Sequence, residues 1–106
     1  MNYYVSYIGY VNATSEENVG EIEKIADVFL IDTSIHENTI SIDGWEDYKR
    51  PVWERFLRKI KPYIDDGEIR FKGQDNSNWR FRFITSNWYS ENGSFVYDEN
   101  NAELMC

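Results

Sequence analysis

Between Val52 and Phe83 the apolar residues change period, and that change decides what each part of the stretch can build. Val52, Trp53, Phe56, Leu57 and Ile60 recur every three or four residues, the stripe of an amphipathic helix. Further on they recur every second residue. Ile69 and Phe71 alternate with Glu68, Arg70 and Lys72, and Trp79, Phe81 and Phe83 alternate with Arg80 and Arg82. Such alternation predicts strands with one apolar and one polar face. Gly73 to Asn78 is a cluster of turn formers, so the two runs read as an antiparallel hairpin. Pro51 suits the first turn of the helix, where its missing N–H has no partner to lose. Arg58, Lys59 and Lys61 complement the dipole at its end, Pro62 closes it, and Asp65-Asp66-Gly67 reads as a turn. Helix and hairpin each have one apolar side. Trp53, Phe56, Leu57, Ile60, Ile69, Phe71, Trp79, Phe81 and Phe83 are therefore expected in one core cluster.

Upstream, residues 3–11 are rich in aromatic and β-branched side chains on both faces, which predicts a central strand. Thr14 and Glu17 match a capping box. Val19, Ile22, Ile25, Ala26 and Phe29 follow as a helical stripe that Gly20 weakens. Val28 to Ile31 could begin a strand, and Thr39 to Asp43 alternates as another after a turn at His36-Glu37-Asn38. Gly44 to Arg50 reads as the loop into the second helix. Asn92-Gly93 is a hairpin signal, with strands expected at Asn87–Ser90 and Phe95–Asp98.

The fold class is thus α+β: a two-layer sandwich in ferredoxin-like β-α-β-β-α-β order with an extra C-terminal hairpin. The sheet is expected to be mainly antiparallel, with both helices on one face. Residues 1–98 form a single domain on size, and residues 99–106 a patternless tail that frays. Fold order of this kind does not select a function.

The charge distribution carries more. The net charge is −8 over 106 residues, which disfavours a generic binder of nucleic acid or anionic membrane. Residues 1–48 hold ten acids and one base, whereas residues 49–82 hold ten bases and five acids. Glu16, Glu17, Glu21, Glu23, Asp27 and Asp32 define a candidate acidic face on the first helix and its exit. Arg70, Lys72, Arg80 and Arg82 define an alternative basic face on the hairpin. Ion pairing with the acidic first half of the chain is the plain structural explanation for that second cluster. Trp45 and Trp88, in loop-like contexts, are candidate aromatic anchors.

Catalytic and metal chemistry find little footing. A hydrolase triad needs a base and a nucleophile in reach of each other, but the one histidine is His36, in a turn, and the one thiol is Cys106. A metal site built on several His or Cys ligands is excluded by count. The acidic pairs Glu46-Asp47, Asp65-Asp66 and Asp98-Glu99 lack the spacing of a calcium loop, and no glycine pattern fits a phosphate loop. The expectation is a non-enzyme without cofactor or metal. With no disulfide framework, no span-length apolar run and no secretory leader, it reads as cytoplasmic and off the membrane. Its function reads as protein binding, in the manner of an inhibitor or immunity-type protein that mimics nucleic acid and blocks a basic site on its target. The alternatives are nucleic-acid binding through the basic hairpin and, at lower weight, a carboxylate-based enzyme.

Overall fold

The structure, a computed structural model, describes residues 2–93 and 102–105. Among the described residues, one antiparallel sheet of seven strands carries two helices. In chain order the elements are β1 (Tyr4–Ala13), α1 (Glu16–Val28), β2 (Thr33–His36), β3 (Thr39–Asp47) and α2 (Arg50–Ile60). A 3-10 turn over Lys61–Tyr63 leads to β4 (Ile64–Gly73), β5 (Asn78–Ile84), β6 (Asn87–Gly93) and β7 (Glu103–Leu104). The sheet order is β2-β3-β1-β4-β5-β6-β7. The α+β class and the antiparallel sheet are as expected, but a seven-stranded sheet does not match the ferredoxin-like order with an extra C-terminal hairpin expected from the sequence. The ladder continues past β4 because β5, β6 and β7 each add to the edge before them.

β1 lies between β3 and β4, as its bulk predicts, but only one of its faces is covered. Val5, Tyr7 and Val11 are buried, while Ile8 is 65% exposed. On the covered side, Val19, Ile22 and Ala26 of α1 and Trp53, Phe56, Leu57 and Ile60 of α2 join Ile40, Ile42, Ile69, Phe71, Phe81 and Phe83 in a single core, with Trp79 packed against it. The predicted helix–hairpin cluster is therefore present. Its centre is aromatic: Trp53 meets Phe71 edge-on at 5.0 Å, and Phe71 stacks on Trp79 at 5.4 Å, favourable ring arrangements.

Several local signals yield to tertiary pairing. Asp65-Asp66-Gly67 is not a turn but the start of β4, where Val11 pairs with Gly67. A β-carbon at Gly67 would come within 2.9 Å of the Val11 side chain and 3.1 Å of the Trp88 ring, so glycine fits this close approach. Asn92-Gly93 is not a hairpin turn either: Asn92 pairs with Trp79 and Gly93 with Asn78 inside β6. The β5–β6 turn is Thr85-Ser86, both at positive φ (50° and 66°), the left-handed pair of a two-residue hairpin. Gly44 to Asp47 continues β3 rather than forming a loop. Val28 to Ile31 ends α1 instead of starting a strand. The capping box does not form: Ser15 is the N-cap, without a side-chain cap bond. The expected strand Phe95–Asp98, the pair Asp98-Glu99 and Cys106 lie outside the described residues. Within the patternless tail, Glu103 and Leu104 pair with Ser90 and Tyr89, and Met105 N–H donates to the Trp88 carbonyl at 2.8 Å.

Candidate functional site

The two helices form one outer surface and the helix-free side of the sheet forms the other. The candidate residues divide between them. On α1, Glu16, Glu17, Glu21, Glu23 and Asp27 are all exposed, and Asp32 is exposed just beyond the helix. The apolar stripe turns inward, so helical geometry gathers these acids on the outer side. One internal base tempers them: Lys24 lies 3.6 Å from Glu21, a solvent-exposed pair of small energetic weight.

The end of α1 holds a feature the sequence does not announce. Leu30 N–H donates to the Asp27 carbonyl at 3.1 Å, and Ile31 N–H to the Ala26 carbonyl at 2.9 Å. That is the Schellman closure of a helix, which places one residue in the left-handed region, usually glycine. Here it is Leu30, at φ 59°. Its side chain is 89% exposed and that of neighbouring Val28 is 77% exposed, while Ile31 tucks into the core. Beside them Lys24, Ile25, Val28, Phe29 and Lys59 line a hollow of about 210 Å³ between the helices. Two apolar side chains thus stand in water between Asp27 and Asp32. The one sequence signal for Val28 was its place outside the stripe of Val19, Ile22, Ala26 and Phe29.

The basic hairpin face is organised differently from the expectation. Arg80 sits between two carboxylates, with Nη1 2.7 Å from Glu68 and Nη2 3.2 Å from Glu91. Arg82 Nε lies 2.9 Å from the same Glu91, and Arg70 Nε 2.7 Å from Glu68. The side chain of Arg80 is only 11% exposed and Glu91 is fully buried. These partners come from β4 and β6, not from the acidic first half of the chain. Burial opposes the Arg80 charge, but the two carboxylates outweigh it and raise the guanidinium pKa. Of the four basic residues, Arg70 and Lys72 are the exposed ones.

The two tryptophans separate cleanly. Trp88 is fully buried against Phe83 at 5.2 Å, so it is a core residue and not an anchor. Trp45 is 63% exposed and stacks on Tyr4 at 5.7 Å with ring planes 2° apart. It stands on the helix-free side, with Ile8 and Tyr10, so Trp45 and the acids of α1 cannot serve one patch.

Glu46 and Asp47 are successive strand residues and point to opposite faces, while Asp65 and Asp66 are both exposed where the β1–β4 register shifts. Glu46 turns coreward, where burial first and Asp47 second raise its pKa, while a hydrogen bond from the Trp53 indole opposes them. Among the described residues no three His, Cys, Asp or Glu side chains gather to hold a metal ion. None of their helices is long and apolar enough to cross a membrane. No family model matches the chain, and no curated protein or solved structure does.

Proposed function

We propose that this chain is a non-catalytic protein-binding module whose docking surface is the outer side of α1. Leu30 carries the reading. An L-residue in the left-handed region costs about 1–2 kcal/mol, and this one gains no burial in return. The left-handed backbone serves the closure of α1 onto Ile31, but a leucine there in place of glycine adds strain for a side chain the fold does not use, which points to use by a partner. Val28 and Leu30 supply the apolar contact, and Glu16, Glu17, Glu21, Glu23, Asp27 and Asp32 surround it with negative charge. The partner that fits is a protein with a basic surface around an apolar pocket. In its sharper form the module is an inhibitor or immunity-type protein that occupies a nucleic-acid-binding site. The acids speed and steer the encounter, while the apolar pair, covered by the partner on binding, slows dissociation. The nucleic-acid alternative has less support, because Arg80 and Arg82 are engaged with Glu68 and Glu91.

The test compares the wild-type chain with a variant carrying Lys at positions 16, 17, 21 and 23, and with Leu30→Gly. A protein captured from host extract by the wild type is purified and its kinetics are followed at low and high salt. Charge reversal is expected to slow association strongly at low salt, and Leu30→Gly to speed dissociation. An on-rate unchanged by charge reversal refutes the acidic surface.

A further inference from the structure

The helix-free side of the sheet is also patterned, and the pattern is self-complementary. Register fixes the rows across three strands. Ile8 of β1 lies between Asp43 of β3 and Arg70 of β4. Two residues earlier, Ser6 lies between Trp45 and Lys72. Asp43 and the exposed indole therefore line one flank of β1, and Arg70 and Lys72 line the other, Arg70 also lying 2.7 Å from Glu68 of its own strand. Asp43 and Lys72 form no ion pair among the described residues. Ile8, with 65% of its surface in water, runs along the middle with Tyr4, Ser6 and Tyr10.

A two-fold rotation about an axis parallel to β1, in the plane between two facing copies, exchanges the flanks. It sets Asp43 of each copy over Arg70 of the other and stacks Ile8 on Ile8. It also sets Trp45 over Lys72, a cation–π pairing. The small Ser6 leaves a hollow of about 290 Å³ there, lined by Ile8, Arg70, Lys72 and Asn78, into which the indole projects. The Asp43–Arg70 and Trp45–Lys72 contacts each occur twice and Ile8 meets its own copy on the axis, as an isologous interface requires. The perpendicular in-plane axis would put β3 over β3 and oppose like charges. The sheet has room for this: the molecule extends 38 × 30 Å along its two longer axes, against roughly 800 Å² per partner for a stable interface.

We infer that this side packs against the same side of a second copy, giving a two-fold sheet-on-sheet dimer with the helices outward. Facing sheets of this kind pack about 10 Å apart, within about 30° of aligned. Both acidic α1 surfaces stay free in such a dimer, so the inference stands apart from the reading of α1.

The experiment uses sedimentation equilibrium of the full chain with Asp43→Lys and Arg70→Asp, each checked for folding by circular dichroism. The wild type is expected to have the mass of two chains. Asp43→Lys opposes Lys to Arg twice, and Arg70→Asp opposes Asp to Asp twice, so each alone is expected to be monomeric. Mixed together, they restore both attractive pairs and are expected to form a one-to-one heterodimer. A monomeric wild type overturns the inference. So does a dimer that neither variant dissociates, which would use another surface, and so does a mixture that stays monomeric. If a variant fails to fold, Trp45→Ala takes its place, and its dimer is expected to weaken without loss of the fold; an undiminished dimer overturns the inference.

Discussion

Arg80 and Glu91 face each other across β5 and β6 at 3.2 Å, the carboxylate having no surface in contact with solvent. Truncating one member of such a pair leaves the other charge buried and short of a partner. Arg80→Ala is therefore expected to cost about 3–5 kcal/mol. Arg70→Ala removes only an exposed contact to Glu68, and is expected to cost about 1 kcal/mol or less. Urea denaturation of both variants decides it. Equal costs would mean that Glu91 does not depend on Arg80.

Leu30→Gly is expected to stabilise the fold. Glycine relieves the left-handed strain of about 1–2 kcal/mol, and its extra freedom in the unfolded chain takes back part of that. A net gain of about 0.5–1 kcal/mol is expected, read as a higher denaturation midpoint at unchanged slope. Leu30→Ala keeps a β-carbon and should leave the midpoint nearly where it was.

Tyr7 and Tyr48 set the response to alkali. Burial, the first cause in both, pushes each phenol up from 10.0 to about 12, and for Tyr7 the charges of Glu46, Asp32 and Asp43 add to it. An unfolded tyrosine releases its proton near 10. Between 10 and about 12 the folded chain thus holds more protons than the unfolded one, and stability falls as pH rises through that window. Midpoints measured across this range should decline for the wild type and decline less for Tyr7→Phe. Identical slopes would remove Tyr7 as a cause.

Gly9 and Gly20 make a matched pair of glycine tests. A β-carbon at Gly9 would run into the Glu68 carbonyl and the Ile69 α-carbon of β4, both backbone, whereas one at Gly20 would meet nothing within 4 Å. Gly9→Ala is expected to lose about 1–3 kcal/mol by forcing β1 from β4. Gly20→Ala, on the exposed side of α1, is expected to gain about 1 kcal/mol. Calorimetric melting of the two proteins should move in opposite directions.

These contrasts also mark where the sequence was legible. Trp53, Phe56, Leu57, Ile60, Ile69, Phe71, Phe81 and Phe83 could be placed in one core because periodicity reports which side of an element faces inward. It does not report what else lies on the outer side. Arg80 and Arg82 alternate outward as expected, yet Glu91 arrives beside them from β6 and buries with them. Turn chemistry failed for a similar reason. Asp65-Asp66-Gly67 and Asn92-Gly93 have strong local preferences, but β1 and β5 offer them ladders, and long-range pairing outweighs local preference. Trp88 looked like a loop residue because it follows Asn87, although the expected strand Asn87–Ser90 already contained it, and the cover that buries it comes from the tertiary fold. Of the candidate site, the exposed acids of α1 could be read from helical spacing. Leu30 could not, since its left-handed backbone follows from how α1 closes onto Ile31.

The position of β1 has a consequence for how the protein is made. Its partners are Thr39 to Asp47 on one side and Ile64 to Gly73 on the other, so during synthesis it emerges before either. With only β3 translated, the other edge of β1 still presents unpaired backbone N–H and C=O groups, a template for any neighbouring strand. Closure waits for residues some sixty positions downstream, a distant pairing of the kind that slows folding. A ribosome paused between α2 and β4 would hold out a half-built sheet. That interval, rather than any property of the finished molecule, is when the chain is most open to mispairing with its neighbours.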